Sequence, residues 1–220
     1  MNRGRGSLVG TGGRLVPDTR ISRHRRILVT LCLTQITGWG VLFYAFPVLQ
    51  GSIADDTGWS RPWVAGAFTL GQVTAAAAGV AVGHVLDRRG PHLVMSAGSV
   101  LAVAAVLLVS GADSRTAFAA AWLLAGLSMA AVLYPPAFAA VTGWFEGRAR
   151  MRALTVLTVV GGLASTVFAP LTAWLEGELG WRGAYLVLAG LLAMTFPAHW
   201  WGLRAAWPQQ RHAARGQGPA

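Results

Sequence analysis

The sequence predicts an all-α integral membrane protein of six transmembrane helices, and three observations lead there. Only 12% of the 220 residues are formally charged while 54% are hydrophobic, about half the charge of an average soluble domain. The deficit is concentrated in six uncharged runs, residues 27–54, 62–83, 93–112, 116–145, 153–175 and 183–203. Each reaches the roughly 20 residues that a helix rising 1.5 Å per residue needs to cross a ~30 Å hydrocarbon core. Finally, the runs are continuously apolar. Strands of a transmembrane β-barrel alternate polar and apolar residues over segments of about ten, so helices are the spanning element.

Residues 1–26 are rich in Gly and Arg, show no apolar period and are expected to form a disordered basic arm. The apolar run behind them is too long for a signal-peptide core and has no small-residue cleavage pattern, so it reads as an uncleaved first span. The net charge of +10 would suit a nucleic-acid binder, but its distribution argues against one. Fifteen of the 18 basic residues, all arginine, fall in segments 1–26, 84–92, 146–152 and 204–220. The alternate loops carry only Arg61, Arg115 and Arg182. That asymmetry places both termini in the cytoplasm of a multi-pass protein of the cell (inner) membrane.

The six-helix domain is thus 27–203, followed by a cytoplasmic tail, 204–220. Its loops are short, so successive helices are antiparallel. The fourth run is the longest, and Pro135-Pro136 inside it removes two backbone donors and predicts a kink. The second run carries a ladder of small residues at every fourth position, Ala67, Gly71, Ala75, Gly79 and Gly83; the fifth carries Gly161, Ser165, Ala169 and Ala173. Each ladder forms a groove that another backbone can approach. Matching grooves in spans two and five hint at a three-plus-three inverted repeat, as transporters have. The single cysteine, Cys32, excludes a disulfide framework, and neither a metal site nor a cofactor is expected.

Between the second and third runs lies "GHVLDRRGPH", which packs one acid, two arginines and two glycines into ten positions. Asp87 falls near a helix end, and Gly90-Pro91 stops the helix and redirects the chain. The spacing G-x-x-x-D-R-x-G, matched by Gly83, Asp87, Arg88 and Gly90, resembles the signature of the major facilitator superfamily; His92 stands where that family usually has a basic residue. "GWGVLFYAFPVL", "DTGWSRPWVAGAF", "YPPAFAAVTGWF", "RARMRALT", "GGLASTVFAPL" and "LGWRGAYLVLAG" are similar to its bacterial monocarboxylate-porter-like branch. The resemblance covers nearly all of residues 27–203.

It implies the N-terminal six-helix half of the family fold, and a function: transport of a small solute, such as an organic anion, by alternating access. It also implies that the Asp87–Arg88 loop is a cytoplasmic latch that holds the second span against a helix of the other half. The pattern fails at two places. Trp122 stands four residues before Gly126 where the family often has arginine, and Ala169 precedes Pro170 where its antiporters have glycine. No Asp, Glu, Lys or Arg lies within a span, so no proton relay is evident. His199, beside Trp200 and Trp201, is expected at the membrane interface.

Polar and aromatic residues on helix faces give a candidate substrate cavity: Gln35, Trp39 and Tyr44 in the first span, Gln72 in the second, Tyr134 in the fourth, Ser165 and Thr166 in the fifth. Thr30, Thr34, Thr37 and Thr158 are weaker candidates, since a buried hydroxyl commonly bonds its own helix. The family has twelve spans, so the expected partners are a small-molecule substrate, the lipid bilayer, and a second six-helix half or a second copy. The alternative is a non-transporting remnant or membrane interaction partner. An enzyme is disfavoured, because no histidines pair at i, i+4 and no acidic cluster adjoins a span.

Overall fold

The computed structural model describes residues 19–207, which are almost entirely helical and contain no strand. In chain order the helices are α1 (Thr19–Trp39), a π-helical turn (Gly40–Tyr44), α2 (Ala45–Thr57), α3 (Arg61–Arg89) and α4 (Pro91–Ser110). Then follow α5 (Arg115–Val132), α6 (Tyr134–Trp144), α7 (Gly147–Gly162), α8 (Ala164–Ala193) and α9 (Thr195–Gly202). The all-α membrane fold expected from the uncharged runs is what these residues form.

Two expectations about boundaries are corrected. Helix α1 begins at Thr19, so residues 19–26 are helical rather than part of a disordered arm; residues 1–18 and 208–220 lie outside the described residues. Among the described residues, the stretches long and apolar enough to span a membrane number five, not six, because residues 147–202 join into one stretch of 56 residues. The divide falls at Gly180, whose φ of 68° and ψ of 172° are not helical.

Contacts on either side of that residue show what the divide does. Arg182 donates to the carbonyls of Ser110 and Ala112 at the C-terminus of α4, at 2.8 and 3.1 Å. His199 and Trp200 instead meet Ser99 and His92 toward its N-terminus. The chain after Gly180 therefore runs antiparallel to α4, from what we call the Gly180 end of the bundle to the Gly90 end. Only one residue separates the two legs, because glycine alone adopts this backbone region without strain. Gly90, with φ 78° and ψ 164°, makes the corresponding reversal between α3 and α4.

Other breaks have similar local causes. Gly58, at φ 67°, ends α2 in the left-handed conformation common at helix C-termini. Ser114 caps α5 by accepting from the Ala117 N–H at 3.2 Å. Leu133 turns to ψ −159° between α5 and α6, since Pro135 and Pro136 offer no N–H to continue the helix.

Small residues set the closest crossing. Gly71 of α3 and Gly126 of α5 meet backbone to backbone; a Cβ on Gly126 would overlap the Gly71 carbonyl, and one on Gly71 would lie 2.7 Å from the Trp122 oxygen. The upper part of the small-residue ladder, Ala67 and Gly71, is thus buried within the chain by α5 and is not an open groove. Around it an aromatic core forms from Phe46, Phe68, Phe118 and Trp122. Phe46 stacks on Phe68 with centroids 4.2 Å apart, and Trp122 sits edge-on to both. Trp122 therefore fills a packing position where the family often carries a charge.

Candidate functional site

The first span is interrupted by a π-helical turn. The Ala45 N–H bonds back to the Gly40 carbonyl, five residues earlier, so the segment 40–44 is π-helical. Such turns widen a helix by one residue and recur at functional sites. Here Phe168 of α8 seats directly against Gly40, where any Cβ would overlap its ring. The extra residue rotates Phe43 and Tyr44 relative to Trp39.

An aromatic row results. Phe43 lies 5.6 Å from Phe68 of α3 and 5.5 Å from Trp39, which lies 5.0 Å from Tyr134; Tyr134 stacks on Phe138 at 4.9 Å. Tyr44 joins the row at 5.3 Å from Phe43. Three sequence candidates, Trp39, Tyr44 and Tyr134, therefore come together, all half-buried. Phe43, Phe68 and Phe138 complete the row and were not singled out from the sequence. Phe43 was legible inside "GWGVLFYAF" only as apolar, since nothing in the residue order reveals a π-turn. The Tyr134 hydroxyl donates to the Thr158 carbonyl at 3.2 Å, bridging α6 to α7. The Trp39 indole nitrogen is buried without a partner among the described residues.

Gln35 lies one turn below Trp39 and is fully buried, and its amide donates to the Val132 carbonyl at 2.7 Å. That carbonyl belongs to the last residue of α5, and its helical donor four residues on would be Pro136, which has no N–H. The glutamine thus satisfies an acceptor that the prolines leave open, while its own Oε1 has no partner among the described residues. Gln72 is half-buried and contacts the Met129 sulfur at 3.5 Å, one turn beyond Phe68 on α3. Ser165 is half-buried and Thr166 and Thr158 are exposed; of the three, only Thr158 is tied to the row, through its carbonyl and the Tyr134 hydroxyl. Thr34 and Thr37 bond carbonyls of their own helix, and Thr30 packs against Gly202.

The residues of the Asp–Arg turn sit as their types dictate. Helix α3 ends at Arg89, Gly90 closes it by donating to the Leu86 carbonyl at 2.7 Å, and Pro91 opens α4 at a position where its missing N–H costs nothing. Asp87 and Arg88 are exposed, and Gly83 is half-buried with open space beside it. Trp207 supports the turn from beyond α9. Its indole donates to the Asp87 carbonyl at 3.3 Å, its Cβ and Cγ lie 3.2 Å from where a Cβ of Gly90 would stand, and its ring meets Trp144 edge-on at 5.5 Å. The segment 204–207 is therefore packed at its end rather than a free tail.

His199 is also corrected. It is 1% exposed, with Nδ1 2.8 Å from the Ser99 hydroxyl, which in turn accepts from Thr195 at 3.0 Å. Trp201 is the exposed one of the two neighbouring tryptophans, whereas Trp200 is half-buried with its ring 4.7 Å from that of His92 at the start of α4. At the Gly180 end, Arg182 forms a second knot: besides the two α4 carbonyls it pairs with Asp113 at 3.2 Å, and Trp181 donates to Asp56 at 2.9 Å. The guanidinium satisfies helix-end carbonyls that would otherwise lack donors.

A family model described as Major Facilitator Superfamily matches residues 27–219, which takes in every helix from the first span onward. No curated protein matches the chain.

Proposed function

Because the chain belongs to the major facilitator superfamily and is a membrane transporter of that type, we propose that it carries a small organic anion by alternating access. In this reading it supplies one six-helix unit that rocks against a second. The Gly90 end faces the cytoplasm with both termini, in the cell membrane, with six crossings once the reversal at Gly180 is counted. The arginine asymmetry of the loops supports that orientation.

The observation that carries the reading is the aromatic row Trp39–Phe43–Tyr44–Tyr134, built on a π-turn and bordered by α3 and α7–α8. Helix α3 is the least covered of the spans, with 17% of its apolar stretch buried against 61% in α5–α6. The row offers the Trp39 indole N–H and the Tyr44 hydroxyl, the Tyr134 hydroxyl being engaged by the Thr158 carbonyl, and no carboxylate belongs to it. Donors without acidic neighbours suit a carboxylate-bearing solute better than a cation. Gln72, Ser165 and Thr166 would join from the flanking helices only when the second unit closes the cavity. The monocarboxylate-like branch remains the finer proposal for the substrate class.

In the same reading Asp87 is the latch residue. It is exposed at the end of α3 on one face with Val73, Ala76 and Val80, at helical spacing, and pairs with no base among the described residues. A carboxylate there meets the positive end of a facing helix dipole. Uptake of labelled small monocarboxylates into vesicles bearing this chain with a second six-helix unit tests both parts. Asp87→Asn is expected to cut uptake about tenfold, the effect of 1.4 kcal/mol on a two-state bias, with unchanged abundance in the membrane. Trp39→Ala is expected to abolish uptake. Undiminished uptake in both variants would overturn the reading.

A further inference from the structure

The last turn of α3 leaves one backbone group open by its own sequence. The helical donor to the Asp87 carbonyl would be the N–H four residues on, and that residue is Pro91, which has none. One position earlier, the Leu86 carbonyl is filled by Gly90 at 2.7 Å. The Asp87 carbonyl is filled from outside the helix, by the indole N–H of Trp207 at 3.3 Å, 120 positions away. A helix end held only by its own bonds frays, because its last carbonyls lack donors. Here the open carbonyl belongs to the residue whose carboxylate stands exposed at the end of the helix.

Trp207 reaches that carbonyl because two glycines make room for it. A Cβ on Gly90 would stand 3.2 Å from the Trp207 Cβ and Cγ. One on Gly143 of α6 would run into the far edge of the ring, 2.5 Å from Cη2 and Cζ3. Gly90 also needs its backbone freedom for the chain reversal, at φ 78°. Gly143 has no such need: it lies inside α6 without a positive φ, where alanine is the better helix former. The indole is what keeps that position bare. Trp144 meets the ring edge-on at 5.5 Å and donates to the Ala206 carbonyl at 3.3 Å. Arg26 of α1 donates to the Arg204 carbonyl at 3.3 Å. The segment after α9 is irregular, yet α1, α6 and the α3–α4 turn all hold it. A tryptophan near a membrane surface commonly serves as an interfacial anchor, and Trp201, 62% exposed, is placed for that. Trp207 is 3% exposed and faces protein.

From these contacts we propose that Trp207 is the positioning residue of the latch. Its indole fixes the peptide that follows the Asp87 Cα, and with it the direction in which the carboxylate is presented to a second six-helix unit. The consequence for transport rests on the reading of Asp87 given above. The anchoring of the turn rests on the hydrogen bond and the glycine socket.

Hydrogen exchange of the full chain in detergent micelles, read by mass spectrometry on the peptide spanning 84–92, tests the anchor. Trp207→Phe keeps an aromatic ring without the N–H and is expected to speed exchange there about fivefold, the effect of one ordinary hydrogen bond. Gly143→Ala keeps both partners of that bond but fills the socket, and is expected to do the same. Trp201→Phe should leave the turn unchanged. In uptake by the chain with a second six-helix unit, Trp207→Phe should lose about fivefold on the same grounds. It should lose nothing further in an Asp87→Asn background, because the positioned group is already gone. Unchanged exchange in the turn would overturn the anchor and the proposal with it. Faster exchange with normal uptake, or a loss that adds to that of Asp87→Asn, would make Trp207 a packing residue only and overturn its positioning role. The latch reading fails separately, if Asp87→Asn itself leaves uptake undiminished; the positioning role then falls too, while the exchange result still decides the anchor.

Discussion

At the scale of single residues, the polar groups inside the bundle are mostly answers to backbone problems. Gln35 donates to a carbonyl stripped of its helical donor by Pro136, whereas Gln72 meets only a thioether, a weak acceptor. The two glutamines stand equal in the sequence, as amides hard to leave in lipid; only the carbonyl that the proline break leaves open at Val132, 97 positions away from Gln35, separates them. Gln35→Leu is expected to lower stability by about 1–2 kcal/mol, the upper range for an interhelical polar contact in a membrane. Gln72→Leu should cost less than about 0.5 kcal/mol on the same grounds. Denaturant unfolding in mixed micelles measures both, and equal losses would refute the distinction. Glycines divide in the same way. Gly126→Ala forces a methyl into the Gly71 carbonyl and should cost about 1–3 kcal/mol, as overpacking does. Gly79→Ala meets open space and should be neutral or slightly stabilising when unfolded under the same conditions.

Whole helices were the most legible feature of this chain, because an uncharged run of 20 residues has few alternatives to crossing a membrane. What the residue order did not reveal was local geometry that depends on distant partners. The π-turn at 40–44 accommodates Phe168, more than a hundred positions later. The buried His199 depends on Ser99, and the residue pattern alone placed it beside two interfacial tryptophans. The division after the fifth span was readable as charge, in Glu176, Glu178 and Arg182, yet the backbone breaks at a single glycine. Gly90 and Gly180 share that geometry: each has φ near 70–80° and ψ near 170°, and each is followed at once by a new helix. Replacing either by alanine imposes a backbone region that only glycine populates freely, at about 1–3 kcal/mol. Gly58→Ala, in the milder left-handed helical region, should cost about 1 kcal/mol. Thermal unfolding followed by circular dichroism ranks the three, and a Gly58 variant as damaged as the other two would contradict the assignment.

For the whole molecule, the uneven covering of the spans points to a surface made for something other than lipid. The upper part of α3 is closed by α5 through Gly71 and Gly126, which removes Ala67 from any intermolecular contact. Its lower part is different: Val80 is 70% exposed, Ala76 is exposed, and a Cβ on Gly79 or Gly83 would meet nothing within 4 Å. Small residues facing lipid gain no close packing, but against another helix they let backbones approach. Asp87 stands at the foot of this strip, so the same surface carries the proposed latch. A cysteine at Val80 is therefore expected to crosslink the chain to a co-expressed second six-helix unit or to a second copy, while Ala67→Cys should not react. The native Cys32 is buried and serves as the unreactive background. Asp87→Asn should reduce the Val80 crosslink without abolishing it, because the carboxylate biases docking while the small-residue strip provides the contact area. A crosslink as strong at Val100, on the opposite lipid-facing side of α4, would mean that the chains collide at random, and the docking face of α3 would have to be abandoned.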